Sequence, residues 1–211
     1  RARLDHVTQT RAAAGPDPHP TTDFSCWPGG VPDPTRIANC WQYDTGAWSQ
    51  VGKSALGDVD ISEDDRRVYA VNLSNRTLVE IPVIQSRTGI TAGAARAIPL
   101  TTASIPDLGD PNTGCANFAS DWRPFGLGMH RGIVYLGAVC SAESTQQASD
   151  LRAYVYRFDP LNPGLGFTQV LAFRLDYPRR CADSAAGCNG GLRPADWQPW
   201  SDTWPTPSGR V

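Results

Sequence analysis

A chain of 211 residues has room for one sizeable core with a second small domain, and a net charge of −2 speaks against a surface built for nucleic acid or anionic membranes. With 20 Gly, 18 Pro, one Met and 19% charged residues, it is poor in helix formers and rich in turn formers, which points to an all-β or loop-rich protein. No apolar run approaches the roughly 20 residues of a membrane span, and the sequence opens at Arg1 without a signal-like segment, as a processed or trimmed product would.

Taken in chain order, the Pro-rich stretch Thr8–Arg36 has no period and reads as an extended arm, ordered by lying on its own domain or on a neighbour. Residues 1–40 are therefore expected to be an arm with a disulfide loop. Residues 41–211 are expected to form the β domain, with units around 50–100 and 120–178 and a C-terminal part. The six cysteines contain no CxxC pair of the kind metal sites favour. Locality favours the pairs Cys26–Cys40, Cys115–Cys140 and Cys181–Cys188, two of which bracket Pro- or Gly-rich loops with little core of their own. Such bridges imply an extracytoplasmic setting, whether periplasm, cell surface or secreted. Six reduced, buried thiols in a cytosolic protein are the alternative.

The most regular segment is "GDVDISEDDRRVYAVNLSNRTLVEIPV", Gly57 to Val83. "DVDIS" alternates polar and apolar residues, "EDDR" is a turn, and "RVYAVNL" is rich in β-branched and aromatic residues. "SNRT" turns again and "LVEIPV" makes a third strand, giving an antiparallel meander. The plan recurs in "PFGLGMHRGIVYLGAVC", where Val134-Tyr135-Leu136 aligns with Val68-Tyr69-Ala70. "RAYVYRFDP" supplies its third strand after a polar insertion, and "GFTQVLAFRLDY" is expected to open the next unit. The fold class expected is all-β, a β-propeller-like stack of four-stranded antiparallel blades with long loops, incomplete as a ring. Val68, Tyr69, Val71, Val134, Tyr135 and Val139 are the candidate central-strand core. The irregular stretch Ala103–Pro124 is long enough to carry binding contacts.

"LGDVDISEDDRRVYAVNLSNRTLVEI" resembles the blade signature of bacterial YVTN/NHL-like propellers. "DWRPFGLGMHRGIVYLGAVCSAESTQQASDLRAYVYRFDP" is similar to a segment of large secreted bacterial surface proteins of largely unknown function, some with adhesin-type repeats. The resemblance spans roughly residues 40 to 205 and implies a cell-surface module without a defined activity. Two units are too few for a closed ring, so the missing blades lie elsewhere in a parent chain or a protein partner covers the open face.

Candidate chemistry is sparse. Asp58, Asp60 and Asp64 are a weak Ca²⁺ set that fits no EF-hand spacing. Asp58 and Asp60 share one strand face, where they are expected to bond a neighbouring blade's backbone instead. His6, His19 and His130 are scattered, and GxSxG and SxxK motifs are lacking, so no catalytic residue and no cofactor is expected. Trp197, Trp200 and Trp204 are a possible sugar platform, weighed against a role as interface plugs. Asn72 and Asn75 match the glycosylation sequon, read as chance matches in a turn of a bacterial-type protein. The function expected is a non-catalytic extracytoplasmic propeller module, a scaffold or protein-binding accessory subunit of a larger assembly. A carbohydrate-binding or adhesive module and a propeller lyase or hydrolase are the alternatives.

Overall fold

The computed structural model describes residues 48–110, 112–177 and 197–203. Strands β1 (Leu56–Ile61), β2 (Arg67–Asn72) and β3 (Thr77–Ser86) form the expected meander. The strands β4 (Gly89–Ala92) and β5 (Arg96–Pro99) both pair with β3, at opposite halves: Ile84 faces Thr91 and Leu78 faces Ile98. They act as one interrupted fourth strand, and together these elements are sheet I. Sheet II is β6 (Trp122–His130), β7 (Ile133–Cys140), β8 (Arg152–Phe158) and β9 (Phe167–Arg174), antiparallel and in chain order.

The all-β class and the four-stranded sheets are as expected, although the described residues close no ring. One strand belongs elsewhere. "GFTQVLAFRLDY" does not open a next unit. It contains β9, which completes sheet II by pairing Val155 with Leu171 and Ala153 with Phe173. The β6–β7 connection is tight because Arg131 and Gly132 both take positive φ, 51° and 75°, the geometry of a type I′ hairpin turn.

Strand alternation decides which residues meet between the sheets. From sheet I, Tyr69, Val71 and Leu78 are fully buried in the shared core. From sheet II come Trp122, Val134, Leu136, Tyr154, Tyr156, Phe158 and Phe167. Of the expected core residues, Tyr69, Val71 and Val134 are buried, whereas Tyr135 is half-buried and Val139 is 40% exposed. In sheet I it is Tyr69 that faces the core; in sheet II it is Val134 and Leu136, the aligned equivalents of Val68 and Ala70. The two sheets are thus stacked in the same sense, the front of one against the back of the next.

The stretch 103–124 builds core more than surface. A 3-10 turn at Pro106–Gly109 and a short helix, α1 (Phe118–Asp121), bury Ile105 and Leu108 beneath the sheets. The Cys115–Cys140 disulfide ties this excursion to the end of β7, with Cα atoms 5.5 Å apart. Arg76 donates to the carbonyls of Phe118 (2.8 Å) and Ala119 and lies over the Phe118 ring. The Cys26–Cys40 and Cys181–Cys188 pairs and the Thr8–Arg36 arm lie outside the described residues.

Candidate functional site

The sheets meet along β1 and β6, and side chains replace a backbone ladder there. The Asp58 carboxylate accepts the Leu127 N–H at 3.0 Å, Asp60 accepts that of Met129 at 2.7 Å, and Glu63 accepts that of Arg131 at 2.6 Å. Alternate N–H groups of β6, the edge strand of sheet II, and of the turn that follows it are thereby satisfied by charged acceptors. The second oxygens of Asp58 and Asp60 take the N–H groups of Val59 (2.9 Å) and Ile61 (2.8 Å) on their own strand. Spacing of two residues is required, because only i and i+2 share a strand face. Gly57 admits the approach: a Cβ there would sit 3.0 Å from the Phe125 carbonyl oxygen.

All three Ca²⁺ candidates are therefore engaged with backbone N–H groups, Asp58 and Asp60 across the sheet junction and Asp64 within its own turn. The third, Asp64, accepts from the Ser62 hydroxyl at 2.6 Å and the Arg66 N–H at 3.1 Å, which hold its carboxyl below the usual range. No group of three or more His, Cys, Asp or Glu side chains converges as a metal site among the described residues.

On the far side of sheet II lies an apolar groove of about 450 Å³, lined by Val51, Phe125, Gly126, Gly137, Val139 and Trp200 among others. A chain of charges runs beside it. Arg123 pairs with Glu143 at 2.8 Å, Glu143 with Lys53 at 2.5 Å, and Lys53 with Asp202 at 2.7 Å. Burial alone would raise the Asp202 carboxyl; hydrogen bonds from Lys53 and from the Trp200 indole hold it below the usual range. Each charge has an opposite partner, so the array fixes geometry and leaves no unpaired base or nucleophile in it. Asp121, buried behind it, accepts the N–H and hydroxyl of Ser144 and so orders the loop that carries Glu143.

None of Lys53, Arg123, Glu143 or Asp202 was singled out from sequence. They come from segments far apart in the chain, and no local motif marks them. Of the tryptophan trio, Trp200 stacks on Trp48 with centroids 4.6 Å apart, and Trp197 meets Tyr177 edge-on at 5.9 Å. The two rings are half-buried and serve different neighbours, while Trp204 lies outside the described residues. His130 is exposed at the end of β6, and His6 and His19 also fall outside. Asn72 is buried, its carbonyl oxygen accepting the N–H of Ser74 in the β2–β3 turn, whereas Asn75 is exposed.

The chain is similar to Colossin-C of Dictyostelium discoideum, 28% identical over 154 residues, which cover 72% of this chain and 13% of that protein. It is also similar to Colossin-D of the same organism, 26% identical over 168 residues, or 77% of this chain and 14% of that one. The chain thus spans about one-seventh of the curated relatives it matches. No family model matches, and no solved structure matches. The expected place among bacterial YVTN/NHL-like proteins is overturned, because the relatives found are eukaryotic.

Proposed function

We propose that this chain is a non-catalytic, extracytoplasmic module of β-propeller type that binds protein through an open sheet face. One observation carries the reading. Tyr69 is fully buried between the sheets, yet Tyr135, which aligns with it in the second unit, points to the opposite side of sheet II. Around Tyr135 the register places Gly137, Val139, Ala153, Val155, Leu171 and Phe173 on one face. Leu171 is 49% and Phe173 40% exposed. A blade surface that is core in one repeat and exposed in the next is a surface built to be covered. The extracytoplasmic part of the reading draws support from the Cys115–Cys140 bridge, which an oxidising compartment maintains.

The test is covalent side-chain labelling of the 211-residue chain and of the same chain within its complete coding sequence. Tyr135 and Phe173 are expected to label in the first and to be protected in the second, or in the second with its bound partner. Equal labelling throughout would refute the reading.

A further inference from the structure

Two stretches of the chain, and no others, read Asn-x-Ser/Thr: Asn72-Leu73-Ser74 and Asn75-Arg76-Thr77. They adjoin in the turn between β2 and β3. A bacterial lineage, which would have made both of them chance matches, is contradicted by the eukaryotic relatives. The fold separates the two. Asn72 is 1% exposed, its carbonyl oxygen accepts the Ser74 N–H at 3.1 Å, and its amide nitrogen is enclosed in protein. An oligosaccharide on that nitrogen would force apart the end of β2, where Asn72 pairs with both Leu56 and Thr77. Asn75 stands exposed at the tip of the turn. Its carbonyl oxygen accepts the Thr77 hydroxyl at 2.8 Å, and its amide nitrogen donates to no group among the described residues. We propose that Asn75 is the acceptor of an N-linked oligosaccharide and that Asn72 is not.

The transfer is a substitution at the anomeric carbon of a polyprenyl-pyrophosphate-linked oligosaccharide. The bond from Asn75 Nδ2 to that carbon forms and the carbon–oxygen bond to pyrophosphate breaks. The lipid pyrophosphate leaves with the electron pair, and Nδ2 gives up one proton. The product is still an amide, so its carbonyl oxygen keeps the Thr77 hydroxyl and the turn keeps its shape. Arg76, the middle residue of the sequon, anchors the turn independently, because its guanidinium donates to the carbonyls of Phe118 and Ala119. An attached oligosaccharide is bulky and hydrated and belongs on a surface that stays in water. A glycan on Asn75 thus excludes this end of sheet I from any interface, and a partner covering the Tyr135 face must leave the β2–β3 turn in solvent.

This rests on the extracytoplasmic reading, because the lipid-linked donor is used in a secretory compartment. The test is to secrete the 211-residue chain from a eukaryotic host behind a cleavable signal. Intact mass is then recorded before and after an amidase that releases N-glycans. One glycan per chain is expected, with Asn75 converted to Asp on release. Asn75→Gln should abolish the mass shift. Ser74→Ala, which removes only the Asn72 sequon and does so at an exposed residue, should leave it whole. A secreted wild type without a glycan overturns the proposal, as does a glycan that survives Asn75→Gln or disappears in Ser74→Ala. The state of Cys115 and Cys140 in the same secreted protein separates the two levels of failure. A bridged chain without a glycan sinks glycosylation alone, whereas two free thiols sink the extracytoplasmic reading beneath it.

Discussion

Asp60 serves two strands at once, accepting one N–H from Ile61 and one from Met129. Hydrogen bonds to a charged acceptor are worth about 1.5–3 kcal/mol, and solvent access at this partly open junction lowers that. Asp60→Ala is expected to cost about 1–2 kcal/mol in urea unfolding and to speed amide exchange at Met129. Asp60→Asn keeps one acceptor and should lose roughly half as much. Unchanged exchange at Met129 in the Ala variant would remove the carboxylate ladder from the account of stability. Tyrosines give the opposite end of the pH scale. Burial pushes the Tyr69 and Tyr154 phenols up to about 12, from an ordinary value near 10. Because the folded value is the higher one, their contribution is fully present below pH 10 and is lost as pH rises from about 10 to 12. Urea midpoints measured across that window should fall together with the appearance of tyrosinate absorbance. The Tyr154 hydroxyl is buried without a hydrogen-bond partner, so Tyr154→Phe should be neutral or slightly stabilising and should reduce the alkaline loss.

At the scale of elements, the disulfide joins α1's approach to the end of β7 across a sequence separation of 25 residues. In the chain-entropy model such a loop contributes about 3–4 kcal/mol. Reduction, or a Cys115→Ala/Cys140→Ala pair, is expected to lower the melting temperature markedly while far-UV dichroism below the transition stays unchanged. Elements were legible where one face is buried and the other wet. Val134 to Cys140 alternates, with Val134, Leu136, Ala138 and Cys140 buried and the residues between them not, whereas Tyr69 to Asn72 is buried on both faces. The β4 and β5 strands were not read, since "GITA" and "RAIP" are short, mostly exposed and carry no period. The β9 strand was recognised but placed in the wrong unit, because pairing partners are set by register with β8, which a strand's own composition does not encode. The Asp-x-Asp junction was readable as i, i+2 spacing. The Arg123–Glu143–Lys53–Asp202 chain was not, because tertiary structure alone brings those segments together.

At the scale of the molecule, the two sheets share one hydrophobic core, with Tyr69, Val71 and Leu78 against Val134, Leu136 and Tyr156. Neither sheet has a second apolar layer of that quality among the described residues, so each depends on the other for burial. Truncating the middle of that layer should therefore weaken both sheets equally. Leu136→Ala removes a fully buried side chain from sheet II and is expected to cost about 2–5 kcal/mol. Amide exchange then distinguishes a shared core from two independent ones. If the core is shared, protection at Val71 and Leu78 in sheet I falls by the same free energy as protection at Val134 and Tyr156 in sheet II, and unfolding stays a single transition. If sheet I kept its protection while sheet II lost it, the sheets would be separate folding units held by the carboxylate ladder alone. The burial of Tyr69, whose ring belongs to one sheet but loses its water to the other, argues for the first outcome.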